Sequence, residues 1–132
     1  MPIDYDIIED QKLVLAKGIG TVSGDDVIRH LEELSKDDRY IAPMKKLIDY
    51  RLVDDITILS GDALTIAQLK SSLSSVFKGE KCAFITPGDL TFGTSRVHQA
   101  LIDSSSDLST EVFRTAEEAM GWLEVILDMK SK

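Results

Sequence analysis

The chain has 132 residues, 43% hydrophobic and 29% charged, proportions that suit one ordinary globular domain. With 15 basic and 23 acidic residues the net charge is −8, which opposes sequence-independent binding to nucleic acid or to an anionic membrane surface. The single cysteine, Cys82, excludes an internal disulfide and fits a reducing, cytoplasmic setting. No apolar run reaches the ~18 residues of a membrane span, and the opening "MPIDYDIIED" is too acidic to serve as a signal peptide.

In chain order, "IDYDIIED" alternates Ile3, Tyr5 and Ile7 against Asp4 and Asp6, the period of a half-exposed strand. After a short break at Asp10-Gln11, "KLVLAKGIGTV" forms a second strand, and the tight connection makes the two antiparallel neighbours. Its alternate positions Val14, Ala16, Gly18 and Gly20 are small, while Leu13, Leu15 and Ile19 are large. Apolar residues on both faces place this strand inside a sheet, with something packed closely on the small face. Ser23 caps a first helix whose stripe is Val27, Leu31 and Leu34.

Beyond Pro43, "KKLIDYR" (45–51) is the third strand, and Ser60 caps a second helix carrying Ile66, Leu69, Leu73, Val76 and Phe77, closed by Gly79. "KCAFITP" (81–87) is the fourth strand, with Cys82 buried in it, and a third helix follows through about Ile102. "STEVFR" (109–114) is the fifth strand, and Thr115-Ala116-Glu117-Glu118 is a capping box for a last helix bearing Met120, Leu123 and Leu127. The stretch 52–60, "LVDDITILS", reads equally as a loop, a sixth short strand or a continuation of the third. The order ββαβαβαβα requires crossovers and so a mixed, mostly parallel sheet in a single α/β domain, 1–132.

Two glycine patterns invite a nucleotide reading. "TPGDLTFGTS" (86–95) approaches a phosphate loop, but Thr94 stands where the lysine belongs and Asp89 adds negative charge inside it. Gly18-Ile19-Gly20 with Gly24 is spaced one residue too widely for a dinucleotide fingerprint and follows an antiparallel hairpin. Turn formation and close packing explain both. His30 and His98 fall on different helices and read as surface residues rather than a metal pair, so no metal or other cofactor is expected.

Ligands of open parallel sheets bind beyond the carboxyl ends of the strands. That rim collects Asp49 and Arg51 after the third strand and Thr86 after the fourth, with Ser95 and Arg96 entering the next helix. Two arginines and several hydroxyls near helix starts would hold a small anion or a partner's carboxylates; alternatively Asp49 and an arginine simply pair to fix the rim.

The element order, together with "LIDYR" (47–51), "FGTSRVHQ" (92–99) and "VFRTAEEAMGWL" (112–123), resembles the SpoIIAA-like branch of the STAS domains, relatives of bacterial anti-sigma factor antagonists. The resemblance spans about Ile3 to Leu127 and implies a STAS-like α/β fold without cofactor chemistry, acting by binding partners. It also points to Ser60 in "SGDAL" (60–64), near where the antagonists carry a phosphorylatable serine, but the paired serines of that motif are missing, and helix capping explains Ser60. The expectation is a non-enzymatic regulatory or protein-interaction module of the bacterial cytoplasm. The alternative is a carrier or sensor of a small or lipid-like ligand held at the rim. Apolar surface on the last helix would support a homodimer, although core packing explains Met120, Leu123 and Leu127 equally well.

Overall fold

The computed structural model describes residues 3–57, 60–86 and 109–126. Strand β1 (Ile3–Ile8) passes through a 3-10 turn (Glu9–Gln11) into β2 (Leu13–Ser23); α1 (Gly24–Ser35), β3 (Lys45–Thr57), α2 (Ser60–Ser72), β4 (Lys81–Ile85), β5 (Ser109–Phe113) and α3 (Ala116–Leu123) follow. The expected third helix, with His98 and most of the glycine-rich stretch, lies outside the described residues.

The five strands pair in sequence order, β1-β2-β3-β4-β5. The β1–β2 hairpin is antiparallel and the other three pairings are parallel, as crossover helices require. Steps in one direction through right-handed crossovers place α1 and α2 on one face of the sheet. That face buries Val14, Ala16, Ile48 and Phe84 beneath Val27, Leu31 and Leu34 of α1 and Ile66 of α2. The opposite face buries Leu13, Leu47, Ala83 and Ile85 against Ala119 and Leu123 of α3. Each large aliphatic side chain so buried contributes roughly 1.5–3 kcal/mol.

Both caps form as the sequence requires. Ser23 accepts from the Asp26 backbone N–H while the Asp26 carboxylate accepts from the Ser23 backbone N–H, a complete capping box. Thr115 accepts from the Glu118 N–H at the start of α3. On the small face of β2, a Cβ added to Gly18 would lie 2.7 Å from the Tyr50 ring and 2.9 Å from Val53. The glycine is therefore explained by an aromatic ring packed against it, not by a dinucleotide.

Two expectations are revised and one left open is decided. His30 is not on the surface: it is 5% exposed, on the buried face of α1, with its ring edge-on to Tyr5 at 5.5 Å. Segment 52–57 continues β3, because Ile19–Ser23 of β2 extend alongside and supply the ladder from Leu52 to Thr57. α2 ends at Ser72, and its last apolar residues, Val76 and Phe77, follow in hydrogen-bonded turns.

Candidate functional site

Of the expected rim residues, Asp49, Arg51 and Thr86 lie among the described residues. β4 ends at Ile85, which is in register with Asp49, so Thr86 comes level with the start of the β3 extension. Asp49, Arg51 and Thr86 therefore lie near one height of the sheet. Ser95 and Arg96 lie outside the described residues. This is not the carboxyl end of β3, however: the strand runs on from Arg51 to Thr57, roughly 20 Å at the rise of a strand. The sequence placed the strand end too early because Asp54 and Asp55 interrupt its apolar pattern.

Asp49 shares the face of Leu47, the α3 side, and is only 4% exposed. Arg51 grips it bidentately, Nε to Oδ1 at 2.9 Å and an η nitrogen to Oδ2 at 2.8 Å, and the Arg51 backbone N–H adds a third bond at 3.0 Å. Burial pushes the Asp49 carboxyl up, but the side-chain and backbone bonds from Arg51 outweigh it, and the net displacement is below the usual carboxylate value. The hydrogen bond to Asp49 in turn raises Arg51 above its ordinary value. Arg51 thus fixes a buried carboxylate, the structural alternative left open by the sequence. Thr86 is likewise occupied: its backbone N–H and hydroxyl both donate to the Phe113 carbonyl, at 2.9 and 3.3 Å, which extends the β4–β5 ladder.

The true carboxyl ends of β2 and β3 are Ser23 and Thr57, themselves register partners, and each leads into a helix. Here α1 and α2 come together so closely that a Cβ on Gly24 would overlap the Asp62 side chain. Asp25 and Asp26 in the first turn of α1, Asp62 in that of α2, and the exposed Asp54 and Asp55 of β3 concentrate negative charge at this end. Arg29 sits 3.7 Å from Asp26. On the α3 face nearby, the register partners Ile19 and Leu52 are 50% and 53% exposed. Ser60 is the first residue of α2. Among the described residues, this end of the sheet is therefore acidic with an apolar pair beside it. The signal lay in "GDD", which reads as a cap, and in "VDD", whose segment reads equally as loop or strand.

Among the described residues, no group of three or more histidine, cysteine or acidic side chains is placed to hold a metal. Cys82 is fully buried.

This layout is that of the SpoIIAA-like, STAS-type α/β fold. The chain is similar to an uncharacterised protein of the DUF3478 family with a SpoIIAA-like fold from Shewanella loihica PV-4, at a TM-score of 0.56 and 20% identity over 92% of this chain and 93% of that one. It is also similar to the anti-sigma factor antagonist SpoIIAA in its unphosphorylated form, at a TM-score of 0.53 and 8% identity over 94% of this chain and 99% of that one. No family model and no curated protein matches the sequence.

Proposed function

We propose that the protein is a non-enzymatic regulatory module that binds a protein partner through the acidic end of its sheet. The observation that carries this is the fold-level similarity to an anti-sigma factor antagonist over 94% of this chain. Fold alone does not fix function, but the surface chemistry here supports contact rather than catalysis. Arg51 and Thr86 are committed to internal bonds, whereas Ile19, Leu52, Asp54 and Asp55 remain exposed. An apolar pair beside carboxylates suits a partner that presents an apolar patch flanked by lysine or arginine. A phosphate on Ser60 would add about two negative charges to an end already rich in them, so Ser60 has no part in the proposal.

The test is affinity recovery from a lysate of the source organism with the wild-type chain and with an Asp54→Lys/Asp55→Lys variant. A partner retained by wild type and lost by about tenfold in the variant, with the same loss at high salt, is the expected outcome. Equal recovery by both, or turnover of a substrate by the purified protein, would remove the proposal.

A further inference from the structure

The opposite edge of the sheet carries a different chemistry. An open cleft of about 460 Å³ lies at the amino ends of the parallel strands, walled by Lys12 before β2, Lys45 at the start of β3 and Lys81 at the start of β4, with Pro43 and Met44 among its apolar lining. In a chain of net charge −8, three lysines converge here with Asp10 as the single lining carboxylate, so the lining is positive by two charges.

The register sharpens this. Lys45 and Lys81 are direct partners on adjacent parallel strands, about 4.8 Å apart in the backbone, and both lie on the α3 face. Like charges placed directly opposite in a sheet destabilise it. Lys81 is partly compensated: its Nζ donates to the Trp122 carbonyl at 2.9 Å, near the end of α3, and lies 4.4 Å from the centre of the Trp122 ring. Neither Lys12 nor Lys45 has an ion pair among the described residues.

We infer that this cleft binds a small organic phosphate monoester, its dianionic head between the lysines and its apolar body on Pro43 and Met44. Lysine ammonium groups suit phosphate as point charges, two negative charges match the excess of the lining, and the cleft volume falls within the range of small-molecule sites. The site is separate from the acidic end, and its occupancy does not depend on the partner proposed above.

The chain contains one tryptophan, and Trp122 contacts Lys81 of the cleft wall, so intrinsic fluorescence is sensitive to a change at that lysine. Phenyl phosphate, inorganic phosphate and benzoate are titrated against the purified full chain by fluorescence and calorimetry. Phenyl phosphate is expected to bind at least about tenfold tighter than either of the others. Lys45→Gln, and independently the exposed Lys12→Gln, weaken it about tenfold each, while Arg29→Gln, which removes one charge at a distance, leaves it unchanged. No binding of phenyl phosphate to ~10 mM, equal binding of all three probes, or unchanged affinity in both lysine variants with circular dichroism preserved would overturn the inference.

Discussion

Replacing His30 with leucine should make the protein more stable, and by an amount that grows as pH falls. Both ring nitrogens of His30 are buried without a hydrogen-bond partner among the described residues. An unsatisfied buried polar group costs ~1–3 kcal/mol. Leucine removes that cost and keeps the apolar packing, but gives up the edge-on contact with Tyr5, worth ~0.5–1.5 kcal/mol. The balance is a gain of about 1 kcal/mol at neutral pH. Burial, and then the positive charge of Lys46, hold His30 well below its ordinary value of 6.5. As pH drops below 6.5, the unfolded chain takes up a proton at this histidine and the folded one does not, so wild-type stability declines. Wild type is therefore less stable near pH 5 than at pH 7.5 on this account, and that decline is absent from the leucine variant. Urea unfolding of both proteins, followed by Trp122 fluorescence and circular dichroism at the two pH values, reads the difference directly. Subtraction cancels groups common to both, including Asp37, held low by its bonds from Arg39 and Tyr5. A gap that stays constant with pH, or a leucine variant less stable at neutral pH, would refute the account of His30 as a buried, neutral, unbonded ring.

Two other substitutions probe the sheet. Gly18→Ala places a methyl group 2.7 Å from the Tyr50 ring and should cost ~1–3 kcal/mol by overpacking; an unchanged urea midpoint would mean that the ring moves aside freely. Arg51→Ala strands the buried Asp49 carboxylate and should cost ~1–3 kcal/mol at neutral pH. Because Asp49 is held below its ordinary 3.8, the stabilisation it draws from Arg51 is present above that value and fades as pH falls through the lower folded one. The variant and wild type should therefore converge in acid, and Asp49→Asn/Arg51→Ala should recover part of the loss at neutral pH. A loss independent of pH would assign Arg51 a packing role instead.

Much of the scaffold is legible in local chemistry. Alternation in "IDYDIIED", the Ser23-to-Asp26 and Thr115-to-Glu118 caps, and the Val27–Leu31–Leu34 stripe each act over a few residues, so they specify β1, α1 and α3 without distant help. The strand–helix alternation then dictates parallel pairing through crossovers. His30 was legible too: it lies three residues after Val27 and four before Leu34, on the stripe itself, and only its polarity argued for the surface.

The remainder was decided by tertiary context rather than by local pattern. Whether "LVDDIT" pairs as strand depends on Ile19–Ser23 lying alongside it, because backbone pairing outweighs two exposed aspartates on a weak local pattern. Arg51 as a partner of Asp49, two residues away, follows from a face that buries one carboxylate and leaves a guanidinium to satisfy it. The Lys45–Lys81 apposition is set by the register of β3 against β4 and is invisible along the chain. Local sequence thus chose which elements form, while the sheet, by bringing distant charges to opposite ends, determined where the molecule is acidic and where it is basic.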